Sequence, residues 1–203
     1  MASRPKTAAC VIGLTGSFGT GKTTVARMFR KWGAKVLDAD ALAHEALAGD
    51  PATYREAVKA FGPGILDAHR TIDRRRLADA VFKDRKRLKT LCDIIHPRVV
   101  RTIKNEIKCM KHDDIVVIDA PLLIEAGLDT IVDALIVVTA SRAQQLKRCA
   151  DKFAMKKRDI LDRIKNQLPL TRKAESADYV INNNGTIHET RKQALKIWRK
   201  LWR

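Results

Sequence analysis

Residues Val11 to Ala26, VIGLTGSFGTGKTTVA, restrict the fold more than any other part of the chain. Val11–Thr15 has the apolar character of a buried strand. It runs into Gly16-Ser17-Phe18-Gly19-Thr20-Gly21-Lys22-Thr23, which fits the pattern G-x-x-x-x-G-K-[ST] without a mismatch, and a helical pattern follows. The chemistry requires these residue types. Glycines let successive backbone N–H groups curl around a phosphate where a Cβ would intrude. A helix starting at Lys22 turns its positive dipole end toward the same group. Lys22 supplies a mobile point charge for β- and γ-phosphates, and the Thr23 hydroxyl can ligate Mg²⁺. Strand, loop and helix together predict an α/β protein that binds a nucleotide by its phosphates.

The rest of the chain repeats the alternation. After a helix over Lys22–Trp32, short strands are expected at Ala34–Leu37, Ile115–Ile118 and Ala134–Val138, with a weaker fifth at Asp178–Ile181. The turn NNNG and a helix from about Ile187 follow the fifth strand. Fully apolar runs alternating with helices indicate a parallel sheet covered on both faces. Between Asp40 and Met110 the pattern is helical only, with breaks expected at Gly49-Asp50-Pro51, Gly62-Pro63-Gly64 and His96-Pro97. Asp73 is placed to cap a helix that carries Leu77, Ala80 and Val81 on one face. About 70 residues of helix between two strands exceed an ordinary crossover and predict an inserted helical subdomain forming a cleft wall. A second basic helical stretch, Arg142–Asn166, precedes the fifth strand, with Arg148 and Lys152 on one face.

Two segments offer the acidic group such a site needs. Ile115-Val116-Val117-Ile118-Asp119 ends a strand on a carboxylate suited to a Mg²⁺ shell. Val36-Leu37-Asp38-Ala39-Asp40 brings two carboxylates out of the second strand, and an acceptor hydroxyl needs one to orient it and take its proton. For Asp40 a helix cap explains the residue equally well, so both readings stand on the residues alone. His96 reads as structural, and Trp198 and Trp202, one helical turn apart, as a packing stripe. GTPase readings are disfavoured: there is no Asn-Lys-x-Asp, and Asp119 is followed by Ala-Pro-Leu rather than a D-x-x-G switch.

Composition narrows the setting. The 203 residues suit one domain, with 45% hydrophobic content to build its core. Cys10, Cys92, Cys109 and Cys149 show no metal-ligand or disulfide-framework spacing. No leader-like or membrane-spanning apolar run is present, so a cytoplasmic protein without membrane insertion is expected. The net charge is +17, and residues 141–203 carry 17 basic against 6 acidic side chains. Such a field favours polyanions, whether nucleotides, coenzymes or nucleic acid. Most of it reads as solvated helix surface, and charge alone predicts no nucleic-acid association.

At this point the motifs add up to a resemblance. Along nearly its whole length the chain resembles the dephospho-coenzyme A kinases. The matching segments, in order, are IGLTGSFGTGKTTVA, GAKVLDADALAHE, FGPGIL, TIDRRRLADAVF, LCDIIHPRV, VVIDAPLLIEAG, QQLKR, RIKNQLP and ADYVINNNG. The resemblance implies a three-layer P-loop kinase fold with a mainly parallel five-stranded sheet. In that layout the core covers about 10–40, 113–141 and 167–203, a helical acceptor-binding insertion about 41–112, and a lid about 142–166. It implies transfer of a phosphoryl group from ATP, with Mg²⁺, to the ribose 3′-hydroxyl of dephospho-CoA; separately, a monomer or weak oligomer is expected. Carried over by position, Gly16 and Phe18 to Thr24 form the ATP-phosphate site, and Thr23 and Asp119 (through water) hold the metal. Asp40 rather than Asp38 matches the base, Lys22 and Arg148 serve the transferring phosphate, and Arg74 and His96 serve the acceptor. The alternatives are a nucleoside or nucleotide kinase and a basic nucleic-acid-binding ATPase. The loop departs from the commoner G-G-I-G-S-G-K-S at Ser17, Phe18, Thr20 and Thr23, and Lys152 stands where a second lid arginine is usual.

Overall fold

The structure, a computed structural model, describes residues 9–81 and 84–201. Five parallel strands form one sheet among these residues: β1 (Cys10–Gly16), β2 (Lys35–Asp38), β3 (Ile115–Asp119), β4 (Ala134–Thr139) and β5 (Tyr179–Asn182). Their spatial order is β2-β3-β1-β4-β5, and all four pairings are parallel. Each expected strand is present, shifted by no more than about one residue at an end. The β-branched run of β3 is buried throughout, as a strand covered on both faces must be. Asp133 and Asp178 pin strand starts: their carboxylates accept the N–H groups of Val11 and Leu135, each at 2.8 Å.

The chain divides into two compact units. One comprises the described residues up to Asp38 and from Asn105 onward, and the other is Ala39–Lys104. In the first, α1 (Lys22–Lys31) and α9 (Ile187–Leu201) cover the sheet. Val25, Ala26 and Phe29 of α1 are buried with Ala194, Ile197 and Trp198 of α9 and the strand residues Ile12, Leu14, Ile136 and Val138. Each large apolar side chain so buried contributes roughly 1.5–3 kcal/mol. Trp198 stacks on Phe29 at 5.7 Å between ring centroids, so it serves packing as the helical spacing indicates; Trp202 lies outside the described residues. A reciprocal cap starts α9: Glu189 accepts the Thr186 N–H at 2.7 Å and donates its own N–H to the Thr186 hydroxyl at 3.2 Å. The basic stretch after β4 is two helices, α6 (Arg142–Phe153) and α7 (Lys157–Lys165), separated at Ala154, whose φ of 50° ends α6. A short α8 (Leu170–Glu175) precedes β5.

The second unit is helical: α2 (Ala39–Gly49), α3 (Pro51–Phe61), α4 (Arg74–Val81) and most of α5 (Arg85–Lys108). Asp50 caps α3, with Pro51 at its first position, and Asp73 caps α4 through the N–H groups of Arg75 and Arg76. Leu77 and Val81 are buried on α4, with Ala80 half-buried beside them. The expected break at His96-Pro97 does not occur. Pro97 lies inside the continuous α5, and His96 is mid-helix rather than at a helix start. Ile95, Val99 and Ile103 are buried on one face across the proline, and that burial outweighs the one backbone hydrogen bond the ring removes.

Acid should loosen this helical unit. Side-chain and backbone hydrogen bonds from Thr53 hold Asp50 below its ordinary value, and those from Thr71 do the same for Asp67. The Arg76 and Arg75 N–H groups lower Asp73. In each case the folded state favours the charged carboxylate. The stabilisation is complete above the ordinary carboxylate range and is lost as pH falls through the folded values. Hydrogen exchange corrected for intrinsic rates, followed from about pH 5 to about pH 3, should show protection at Thr53, Arg75 and Arg76 falling more than at Val116–Ile118. Equal losses would contradict the assignment.

Candidate active site

In an open parallel sheet, ligands bind beyond the carboxyl ends of the strands. At the end of β1 the chain turns through Ser17–Gly21 into α1. Gly19 and Gly21 have φ of 80° and 87°, a region that side chains bearing a Cβ rarely occupy. Space forbids substitution as well: a Cβ at Gly21 would lie 2.2 Å from Nδ2 of Asn183, and one at Gly16 would lie 2.6 Å from the Val138 carbonyl. Gly21 occupies the cap position of α1 without any side-chain cap. The N–H groups of Gly21, Lys22 and Thr23 therefore have no acceptor within the helix, while Thr24 N–H bonds back to the Gly21 carbonyl at 2.9 Å. Bare N–H groups at a positive helix end suit an oxyanion.

The pairing of β1 with β3 brings Asp119 beside this loop, with Leu14 opposite Asp119. The Asp119 carboxylate, 4% exposed, accepts a hydrogen bond from Nζ of Lys22. Burial pushes the Asp119 carboxyl above its ordinary value; Lys22 opposes the shift, and Asp38, its register partner at the end of β2, adds to it. Asp119 is thus an acidic group held charged chiefly by a cation, a setting that a second cation can take over. Thr23 is exposed at the first turn of α1. A magnesium nucleotide needs few protein ligands, because phosphates and water fill most of its octahedron. One hydroxyl and one nearby carboxylate fit that need.

The outer side of the loop is built from side chains whose purpose the motif does not reveal. The Ser17 hydroxyl and the Phe18 N–H both donate to Oε1 of Gln167, at 3.0 and 2.9 Å. The fully buried Thr20 donates its hydroxyl to the Ser17 carbonyl at 2.9 Å. The Thr20 carbonyl accepts Nδ2 of Asn183 at 2.8 Å, and Asn183 is itself fixed by the Thr190 hydroxyl at 2.7 Å. The Phe18 N–H is therefore committed within the protein. Its ring stacks on Phe153 at 5.8 Å, lies under Arg163, and joins the cluster of Cys149, Ile160 and Ile164 on α6 and α7.

Arg148 reaches the loop, donating to the Asn183 carbonyl at 2.8 Å and the Thr20 carbonyl at 3.5 Å. Lys152 is exposed and lies over the Phe153 ring. Gly16, Phe18–Thr24, Asp119 and Arg148 are thus gathered at one end of the sheet. Asp40, Arg74 and His96 belong to the helical unit. Asp40 is the second residue of α2, inside its first turn and not at the cap position; Arg74 opens α4; half-buried His96 lies within α5. Gln167 and Asn183 are supports of the loop that sequence reasoning missed. The signal available for Asn183 was the polar run after β5, read only as a turn.

The family model described as dephospho-CoA kinase matches residues 10–189. A protein of Aquifex aeolicus named dephospho-CoA kinase is 45% identical, covering 95% of this chain and 97% of its own. One of Geobacillus kaustophilus with the same name is 41% identical, covering 92% and 94%. Among solved structures, a Thermus thermophilus protein superposes with a TM-score of 0.81 at 32% identity, covering 95% of this chain and 97% of that one. A shikimate kinase from Bacteroides thetaiotaomicron, at 12% identity and a TM-score of 0.57, shares the fold. No helix among the described residues is long and apolar enough to cross a membrane. With a matching family model across most of its length and relatives of this identity along almost all of theirs, the chain belongs to the dephospho-CoA kinase family.

Proposed function

We propose that the protein transfers the γ-phosphoryl group of ATP to the ribose 3′-hydroxyl of dephospho-CoA, giving coenzyme A and ADP. The observation that carries this reading is the Lys22–Asp119 pair beside an uncapped helix start, in a chain of this family. The N–H groups of Gly21, Lys22 and Thr23 receive the phosphate oxygens of ATP. Lys22 exchanges Asp119 for the β- and γ-phosphates and neutralises charge as the phosphoryl group moves. Mg²⁺, held by the Thr23 hydroxyl and through water by Asp119, would offset charge between those phosphates. The Asp40 carboxylate orients the acceptor hydroxyl and takes its proton as the new P–O bond forms and the bond to the ADP oxygen breaks. Arg74 and His96 serve the acceptor side. Residues 142–166 act as the lid, with Arg148 turning from the loop carbonyls to the nucleotide, and closure keeps water from the phosphoryl group.

Incubation with dephospho-CoA and Mg-ATP should yield coenzyme A detectable by mass spectrometry. Thymidylate, adenylate and cytidine should be poor acceptors. Turnover of one of these without coenzyme A formation would establish a nucleotide or nucleoside kinase instead. ATP hydrolysis stimulated by RNA or DNA, without any acceptor phosphorylated, would establish the nucleic-acid-dependent class. The positive charge should quicken encounter with both polyanionic substrates, so kcat/KM should fall as salt rises.

A further inference from the structure

Lys173 of α8 is fully buried, yet it carries an ammonium group that the reaction does not use. Its Nζ lies 2.9 and 3.0 Å from the two carboxylate oxygens of Glu125 and donates to the Pro121 carbonyl at 2.5 Å. A buried ion pair is seldom the most stable choice, since an apolar side chain of similar volume often serves folding as well or better. The position of these bonds suggests another use. The Pro121 carbonyl also accepts the hydroxyl of Thr15, one residue before the phosphate loop, at 3.3 Å. Ala120 N–H bonds to the Leu14 carbonyl at 3.1 Å. The turn that follows Asp119 at the end of β3 is therefore tied to the end of β1 on one side and held by Lys173 on the other. Glu125 is held in turn by the Leu168 N–H at 2.8 Å, next to the Gln167 that grips Ser17 and Phe18. Burial lowers the Lys173 ammonium from its ordinary value, Glu125 opposes this, and the positive charge of Lys22 adds to the lowering, so both cations share one field.

We propose that Lys173 is a positioning residue that, paired with Glu125, fixes the Pro121 turn and through it the Asp119 carboxylate against Lys22. This rests on the proposed role of Asp119 in transfer. Lys173→Met keeps the length of the side chain and removes the charge. It should lower kcat about tenfold or more, because small displacements of a charge-stabilising group are costly, while the KM for dephospho-CoA stays within about threefold. By calorimetry, ADP should bind more weakly in the presence of Mg²⁺ and almost unchanged without it. Melting should show a folded protein of similar stability. The deciding measurement is a cycle with Asp119→Asn: if Lys173 acts through Asp119, adding Lys173→Met to that variant should change kcat less than about twofold. A folded Lys173→Met protein with unaltered kcat overturns the proposal, as do losses that multiply in the double variant. Asp119→Asn with full turnover overturns the role of Asp119 itself, a result distinct from a silent Lys173→Met. If Lys173→Met does not fold, Glu125→Gln carries the same cycle with the same expected outcomes.

Discussion

Asp40→Asn should leave the affinity for ATP within about threefold of the parent protein and lower turnover by roughly 10²–10⁴-fold. Asparagine preserves the shape of the side chain and its capacity to accept a hydrogen bond from a hydroxyl. It cannot take up the proton that the attacking oxygen must lose. Asp40 is the second residue of α2, so its backbone is fixed by the first turn of that helix. Near a helix amino terminus a carboxylate is favourable, which limits the cost of the substitution to the fold to a few tenths of a kcal/mol, up to about 1. Equilibrium ATP binding and steady-state turnover, measured on the same preparation, separate the two effects. Unaltered turnover removes Asp40 from catalysis, and loss of ATP binding along with turnover would assign the damage to the fold.

Lys22→Met should be nearly as damaging, through both chemistry and stability. Removing a charge that stabilises the transferring group costs on the order of 10²–10³-fold in kcat. The same substitution also leaves Asp119 buried without its cation. Burial already pushes the Asp119 carboxyl upward and Lys22 opposes this, so without Lys22 it rises further and protonates more readily. Protonation limits the cost of the orphaned group, and a loss of about 3 kcal/mol, at the lower end for breaking a buried pair, is expected. The sign of the pH dependence follows. With its folded value raised above the unfolded one, Asp119 binds a proton more tightly in the fold, so stability in Lys22→Met falls as pH rises through the folded value. Melting temperatures followed upward in pH from the ordinary carboxylate range should show this decline more steeply in the variant than in the parent. A variant with parental kcat would remove Lys22 from the phosphate site.

The strands were readable because short apolar runs bounded by polar residues have few alternatives in a chain this size. The phosphate loop was readable for a different reason: the positive φ of Gly19 and Gly21 is a local demand of the turn itself, whereas the close approaches of Gly16 to Val138 and of Gly21 to Asn183 came only with the fold. Pro97 misled the reading. A proline ends a helix by local rules, and here the burial of Ile95, Val99 and Ile103 on both sides of it carries the helix through. Ser17 had no local explanation, because its hydroxyl answers to Gln167, 150 residues away; Thr20 did have one, since its hydroxyl bonds to the Ser17 carbonyl three residues back.

The same division applies to the chemistry. Backbone conformation, helix dipole and residue type are properties of neighbouring residues, so the phosphate loop, Lys22 and Thr23 were settled within a single stretch of chain. Partnership is a property of chain crossings. The parallel pairing of β1 with β3 sets Asp119 beside Lys22, and the return of the chain after α7 brings Gln167 and Asn183 against the loop and Lys173 against the Pro121 turn. No periodicity encodes those meetings, because they depend on which strands become neighbours and how much apolar surface that choice buries.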